Sequence, residues 1–277
     1  MSSGTAEQIT RASKSNLALA FVALPRERRR DMTTFYGFCR VVDDLADEPG
    51  MTSDERHAGL DLWKASLSAP QPGESALAGE VRVLIEKYRL PIAHFIEIIL
   101  GCEMDVRGTR YETWEELQLY CHRVASAVGL VSIEIFGYTD PACRRYALDL
   151  GLALQLTNII RDVGEDFRNG GRVYLPRADM DACGCDAERF ALGREDEAFR
   201  KVMEFEAERA RGFFASAKAA LPAADRQAMA AAEIMRAVYS RLLEKMASDG
   251  FQVLTRRYRL SRWEKLGCVL RGRFGRV

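Results

Sequence analysis

One long segment of this chain, residues 150–166, is apolar on nearly every side of a helix. A helix of that composition is stable only when other elements surround it, so the chain must build a large helical core. The polar exceptions are regularly placed, because Gln155, Asn158, Asp162 and Asp166 follow one another at intervals of three, four and four residues. At about 100° per residue, these side chains form one stripe along one helix face.

A second polar stripe lies between Phe35 and Glu48. Tyr36, Arg40, Asp43 or Asp44, and Asp47 recur there at helical spacing. Each stripe therefore contains two aspartates four residues apart, the arrangement that brings side chains together on a helix.

The aspartate pairs have two interpretations. Acidic pairs on a helix are usually a solvated face, but here the flanking residues are apolar and would be exposed with them. If the pairs face inward, two carboxylates about 4 Å apart repel by about 4 kcal/mol at an effective dielectric near 20. Protonation or a divalent cation would relieve this repulsion. An all-oxygen ligand set favours Mg²⁺, which binds a few carboxylates together with substrate phosphates, and Arg40 and Arg161 suit the same phosphates.

The sequence does not favour two other kinds of metal site. A di-iron carboxylate bundle requires Glu-x-x-His pairs, and no histidine of this chain has a glutamate three residues before it. The only close cysteine pair, Cys183 and Cys185, has no histidine or second pair nearby, so we expect an ordinary loop there.

The remaining chain reads as all-α, because apolar residues recur at intervals of three and four and strand-like alternation is scarce. Capping boxes at Thr52-x-x-Glu55 and Thr113-x-x-Glu116 mark two helix starts. A length of 277 residues fits one domain, 1–277, with no transmembrane window. We therefore expect a cytoplasmic, single-domain bundle of about ten helices, near residues 14–24, 26–48, 52–69, 75–88, 91–107, 114–136, 141–167, 196–220, 223–248 and 251–270.

The charge is unevenly distributed. The 40 basic and 40 acidic residues cancel, which argues against a general nucleic-acid binder. The tail 256–277, however, contains eight basic residues and one acid, a charge of +7 interleaved with apolar side chains. Such a tail is either a packed last helix with solvated arginines or a contact with the inner face of a membrane.

Several motifs resemble those of the squalene/phytoene synthase family, the head-to-head prenyl diphosphate condensing enzymes. Asp43–Asp47 and Asp162–Asp166 are similar to its two aspartate-rich motifs. The segments 101–106, 120–129, 154–161 and 172–176 resemble further family motifs, and the likeness extends from about Ser13 to Arg256. It is greatest to bacterial presqualene diphosphate synthases. The resemblance implies the isoprenoid synthase fold, a class I terpenoid synthase bundle around a central active-site cavity.

The resemblance also implies roles for individual residues. Tyr120 would lie near the reacting carbons, and the aspartates that begin and end each motif would hold two or three Mg²⁺ ions with help from Asn158. At position 126 the family's usual glycine is replaced by Ser126. The substrate diphosphates would be bound by Ser13, Ser15, Tyr36, Arg40, Gln155, Asn158, Arg161, Tyr239 and Arg256.

The implied reaction joins two farnesyl diphosphates into presqualene diphosphate for squalene or hopanoid biosynthesis. Condensation of two geranylgeranyl diphosphates to phytoene, for carotenoids, is the main alternative. A squalene or dehydrosqualene synthase is a further one, with NADPH involved only if the reaction proceeds to squalene. A terpene cyclase normally has a different second motif, and a non-catalytic subunit would not need intact acidic pairs. The sequence leaves the oligomeric state open.

Overall fold

A computed structural model describes residues 20–48 and 50–274, with side chains described up to residue 269. Within these ranges the chain is helical without strands, which confirms the predicted all-α class. The α-helices are α1 Arg26–Asp47, α2 Ser53–Ser66, α3 Ala76–Tyr88, α4 Ile92–Val106, α5 Trp114–Cys121, α6 Ala127–Phe136, α7 Ala142–Arg168, α8 Arg177–Ala182, α9 Ala187–Ala191, α10 Glu197–Ala220, α11 Ala230–Ser248 and α12 Arg262–Phe274.

Local signals explain most helix boundaries. At the start of α2, the Thr52 hydroxyl accepts a hydrogen bond from the Glu55 N–H (3.2 Å), and the Glu55 carboxylate accepts one from the Thr52 N–H (2.7 Å). This reciprocal pair is the predicted capping box. At α5, the Thr113 hydroxyl accepts from the Glu116 N–H (3.4 Å), but the Glu116 carboxylate accepts from the Glu112 N–H (2.7 Å), so only half of the predicted capping box forms. The predicted first helix, 14–24, falls mostly outside the described residues.

The predicted helix at 251–270 is wrong in its first half. Gly250 and Phe251 adopt positive φ angles of 67° and 54°, which ends α11. The chain then crosses α7 without helical structure, and the Leu254 N–H donates to the carboxylate of Glu195 at 2.8 Å. Gly164 makes this crossing possible, since a Cβ there would lie 2.7 Å from the Leu254 Cα.

The last helix begins only at Arg262, behind a capping box that the sequence analysis missed. The Ser261 N–H donates to the Glu264 carboxylate (2.7 Å), and the Glu264 N–H donates to the Ser261 hydroxyl (3.2 Å). Tertiary packing of residues 251–261 and this cap together move the helix start by eleven residues from the predicted position. The short helices α8 and α9 were also not predicted, and the helix predicted at 223–248 starts only at Ala230, after a 3₁₀ turn at Ala223–Asp225.

Helices α5 and α6 form one long rod through a π-helical turn at His122–Ser126. By length and composition, Trp114–Phe136 could cross a bilayer, so the expectation of no transmembrane window is wrong on these two criteria. The rod packs against α4 and α7 inside the bundle, as expected of a core helix. It lies close to α7 at Ser126, whose Cα would lie 2.5 Å from a Cβ at Gly151.

Candidate active site

The first aspartate motif lies at the carboxyl-terminal end of α1, facing an open cleft. The side chain of Asp43 is 55% exposed, so the motif is more open than an inward-facing stripe would be. Arg40 pairs with Asp43 at 2.9 Å and also with Asp44. Even so, partial burial, together with the neighbouring charge of Asp47, raises the pKa of Asp43 to about 6.

The second motif, near the end of α7, is more enclosed. The side chain of Asp162 is 15% exposed and pairs with the Arg161 guanidinium, whose Nε donates to Oδ1 at 2.8 Å. Arg257 reaches the same carboxylate at 3.2 Å. Burial and the nearby Asp162 raise the pKa of Asp166 to about 7. A carboxyl with a pKa this high needs a nearby cation to be fully ionised at neutral pH.

The two motifs converge around Arg172 and Asp105. Arg172 follows the glycine-rich loop after α7 and pairs with Asp47 at 2.8 Å. Its positive charge also lowers the pKa values that burial raises at Asp166 and Asp105. In turn, Asp105 raises the pKa values of both Asp43 and Asp166. One acidic cleft therefore joins elements that are far apart in sequence.

The donor set fits a hard cation that keeps part of its water shell. Among the described residues, no three or more His, Cys, Asp or Glu side chains lie close enough to enclose a metal ion. Asn158 does offer a free ligand, because its buried side-chain oxygen has no hydrogen-bond partner in the described part of the chain. Paired carboxylates and an amide oxygen suit Mg²⁺, which takes few protein ligands and several waters or phosphate oxygens.

An apolar cavity begins at Asn158, one helical turn before the second motif. It holds about 880 Å³ of empty space, part of it continuous with bulk solvent. At one end lie Gln155 and Asn158, and Phe136 and Tyr146 line the other end, near the loop between α6 and α7. The twelve helical steps from Tyr146 to Asn158 span about 18 Å at 1.5 Å per residue. The cavity is therefore long, apolar along its walls and polar at the end nearest the second motif, as a prenyl diphosphate requires.

Tyr120 belongs to a cluster of three tyrosines beside the acidic cleft. Its ring stacks on Tyr174 with centroids 5.1 Å apart, and Tyr111 lies 5.5 Å from it. The Tyr120 hydroxyl donates to Asp105 at 3.0 Å, and the Tyr174 hydroxyl donates to the other oxygen of Asp105 at 2.7 Å. Burial raises the pKa of Asp105 to about 6, against these hydrogen bonds.

Most predicted diphosphate-binding residues lie at this site. Tyr239 lines the cavity beside the guanidinium of Arg161. Gln155 accepts a hydrogen bond from the side-chain amide of Asn158 at 3.4 Å. Tyr36 packs edge to face on Phe21 at the cavity wall. The predicted residues Ser13 and Ser15 lie outside the described part of the chain.

The structure places Arg256 away from the second motif, so its predicted role at the diphosphate stays a prediction. Arg256 pairs with Asp249 and stacks on Tyr258, with 4.5 Å between the guanidinium carbon and the ring centroid. Arg257 instead contacts the second motif, at Asp162 and at Glu165 (2.8 Å). The irregular course of residues 251–261 decides which of the two arginines faces the site, and a predicted helix could not show this.

Three further residues were missed for similar reasons. Asp105 and Arg172 fell in segments that resembled the family but received no role, and Tyr174 follows in the same loop as Arg172. None of them belongs to a periodic stripe, since their partners come from other elements. The positive φ angles of Gly170 (101°) and Gly171 (70°) shape the turn that brings Arg172 and Tyr174 back to the cleft.

Comparisons with known proteins agree with this geometry. The profile of the squalene/phytoene synthase family matches residues 10–264. A phytoene synthase of Mycobacterium tuberculosis is 35% identical over 94% of this chain and 86% of its own length. A presqualene diphosphate synthase of Zymomonas mobilis is 34% identical, covering 98% and 93%. The crystal structure of a dehydrosqualene synthase superposes with a TM-score of 0.85 at 25% identity, covering 96% of this chain and 93% of that one.

Proposed function

The chain belongs to the squalene/phytoene synthase family of prenyltransferases, and from this premise we propose that it condenses two farnesyl diphosphates into presqualene diphosphate. One observation carries the proposal. A long apolar cavity ends at the unpartnered oxygen of Asn158, one helical turn before Asp162, and the two aspartate pairs are coupled next to it through Asp105 and Arg172. This arrangement holds diphosphates at one end and hydrocarbon chains at the other.

The cofactor of this reaction would be Mg²⁺, held by Asp43 and Asp47 on one side and by Asn158, Asp162 and Asp166 on the other. When bound, it supplies the positive charge that makes diphosphate a leaving group. Arg161, Arg172 and Arg257 provide fixed positive charge around the same oxygens.

The protein's own residues would then guide the chemistry. Departure of diphosphate from one substrate leaves an allylic cation, which the 2,3 double bond of the second molecule attacks. Loss of a proton closes the cyclopropane ring, and the second diphosphate stays on the product. The apolar walls exclude water that would quench the cation. Tyr120 lies one helical turn before Val124, which lines the cavity.

The choice of farnesyl tails rests on two observations. The presqualene diphosphate synthase of Zymomonas mobilis matches this chain over nearly the whole length of both proteins. The inner end of the cavity is lined by the large side chains Phe136 and Tyr146, which favours the shorter of the two tails. Phytoene synthases of similar identity make geranylgeranyl diphosphate the second candidate substrate.

Product analysis tests the proposal. Purified protein is incubated with Mg²⁺ and either farnesyl or geranylgeranyl diphosphate, with and without NADPH, and the products are identified by mass spectrometry. We expect a product of doubled carbon number that keeps one diphosphate, formed faster from farnesyl diphosphate. A hydrocarbon formed only with NADPH would indicate a squalene or dehydrosqualene synthase instead. Faster turnover of the longer donor would identify a phytoene synthase, and a cyclic product from one substrate molecule would identify a terpene cyclase.

We also propose that the enzyme is cytoplasmic and attaches to the surface of an anionic membrane through α12. One face of this helix packs on the bundle at the buried Cys268, and its opposite face displays Trp263, which is 82% exposed, and Leu266. Arg259 and Arg262 are exposed beside them. An exposed tryptophan flanked by arginines suits the interface of a bilayer with anionic headgroups.

Vesicle sedimentation tests this attachment. Trp263→Ser should weaken binding to phosphatidylglycerol vesicles, whereas Val83→Ser, at another exposed apolar residue on α3, should not. Equal binding by both variants, or binding to neutral phosphatidylcholine that matches the anionic vesicles, would contradict the proposal.

A further inference from the structure

Asp105 lies in the cleft but outside both aspartate motifs. Among the described residues there, it is the carboxylate that accepts hydrogen bonds from two phenol groups. Its two oxygens accept hydrogen bonds from different tyrosines, at 3.0 Å from Tyr120 and 2.7 Å from Tyr174. These tyrosines come from α5 and from the loop after α7, while Asp105 comes from the end of α4. Three separate elements therefore converge on this one side chain.

The direction of these hydrogen bonds follows from the chemistry of the groups. An ionised carboxylate can only accept, so each phenol must donate its single proton to Asp105. Burial raises the pKa of Tyr120 well above its usual range, which keeps the phenol protonated. With its proton donated to Asp105, the Tyr120 oxygen has only lone pairs left for its remaining neighbours, which include the nearby hydroxyl of Tyr174.

We propose that Asp105 is a positioning residue that fixes the Tyr120 hydroxyl with its lone pairs, rather than its proton, toward the allylic cation. This inference rests on the proposed condensation reaction. A dipole that is already oriented toward a developing charge stabilises the transition state without reorganisation at the moment of reaction. Tyr174 completes the arrangement, because it occupies the second oxygen of Asp105 and stacks on the Tyr120 ring.

Asp105→Asn is the decisive variant. The amide has nearly the shape of the carboxylate, but one of its two groups is a donor. One phenol must then accept a hydrogen bond and turn its proton away from residue 105. Since a hydrogen bond to a charged group contributes about 1.5–3 kcal/mol, we expect kcat to fall about 10- to 100-fold. The KM for the allylic diphosphate should change less than about threefold, because Asp105 does not bind the diphosphate.

Two further variants serve as a second test and a control. Tyr174→Phe removes one of the two donors and should lower kcat by about three- to tenfold. Tyr111→Phe is the matched control, since its buried hydroxyl has no hydrogen-bond partner among the described residues although its ring packs in the same cluster. It should leave kcat within about twofold of wild type. If Asp105→Asn fails to fold, Tyr174→Phe decides, and a wild-type kcat in that variant overturns the proposal.

A readout without substrate separates this inference from the proposed function. In protein labelled with ¹³C at tyrosine Cζ, Asp105→Asn should shift two resonances, which are identified by their loss in Tyr120→Phe and Tyr174→Phe. Tyr111→Phe should leave both in place. If wild type condenses neither prenyl diphosphate, the proposed function fails, while the resonances still report the hydroxyl geometry. Unmoved resonances or an unchanged kcat in folded Asp105→Asn would overturn the positioning role.

The Mg²⁺ dependence separates positioning from metal binding. Asp105→Asn should reach half-maximal rate at the same Mg²⁺ concentration as wild type. If it needs about tenfold more Mg²⁺, Asp105 is a metal ligand and the positioning role is overturned.

Discussion

The two aspartate motifs have the same spacing but very different surroundings. The motif on α1 lies at an open cleft, with Asp43 55% exposed and paired with a neighbouring arginine of its own helix. The motif on α7 is enclosed, with Asp162 15% exposed and held by arginines from two separate segments. The same spacing of aspartates therefore occurs in two different settings. One half of the site is open to ligands, and tertiary packing has already arranged the other half.

This difference indicates which half is preorganised. Around the α7 motif, Asn158 presents an unpartnered oxygen, and the apolar cavity begins beside it. The α1 motif is joined to it mainly through the Arg172–Asp47 ion pair. We expect the enclosed half to hold its geometry without ligands and the open half to tighten when diphosphate and metal bind.

The largest effect should come from removing one aspartate from either half. Asp43→Asn and Asp162→Asn should each lower kcat/KM by at least about 100-fold, because each removes a carboxylate that would hold Mg²⁺ against the reacting diphosphate. Asp44→Asn is the matched control on the first helix, since Asp44 lies outside the 43/47 pair and its carboxylate pairs with Arg40. Circular dichroism should show unchanged helix content. Near-normal turnover in either of the first two variants would contradict the metal assignment.

The packing of the enclosed half is tested at Gly164. A methyl group at Gly164 would lie 2.7 Å from the backbone of Leu254, so Gly164→Ala must displace the segment that carries Arg257. We expect a loss of about 1–3 kcal/mol in the free energy of unfolding, measured by urea denaturation, together with reduced activity. Gly212→Ala, at a helical glycine with open space around it, should instead stabilise by about 0.5–1 kcal/mol. Equal stability of both variants would show that the crossing at Gly164 is not tight.

Separate substitutions of Arg257 and Arg256 test which of the two arginines acts at the second motif. Arg257→Ala removes the contacts to Asp162 and Glu165, so kcat/KM should fall about tenfold, the value of one charge-assisted hydrogen bond. Arg256→Ala breaks the pairing with Asp249 and should lower the thermal midpoint more than the activity. The reverse ranking in a steady-state assay would restore the assignment made from sequence.

The smallest effect concerns pH. The pKa values of about 6 for Asp43 and about 7 for Asp166 lie above those of an unfolded chain. The metal-free fold therefore holds protons that the unfolded chain has released, and its stability should fall as pH rises from about 4 to 7. Stabilisation by Mg²⁺ with diphosphate should grow over the same range, because ionised carboxylates bind the metal.

Thermal midpoints measured with EDTA and with Mg²⁺ plus diphosphate test this opposition. We expect shifts of about 2–4 °C for each kcal/mol of linkage. Since Asp166 has the higher pKa, Asp166→Asn should flatten the upper part of the metal-free curve more than Asp43→Asn does. Parallel curves with and without metal would show that these carboxylates do not bind it.

The sequence predicted the parts of the site that depend on one helix. The pairs 43/47 and 162/166 could be found because residues four apart on a helix share a face, and the same periodicity gave the bundle and most helix boundaries. The capping box at Thr52 fixed the start of α2, and the Thr113 hydroxyl alone caps the first turn of α5.

What only the tertiary structure decided concerns groups that meet across elements. Four features depend on how separate segments pack. They are the exposure of each motif, the contact of Arg257 rather than Arg256 with Asp162, the late start of α12, and the hydrogen bonds from two tyrosines to Asp105. The physical reason is the range of the interactions. Helical periodicity and caps act within a few residues, whereas Asp105 and Tyr174 are brought within 2.7 Å only by the closed bundle.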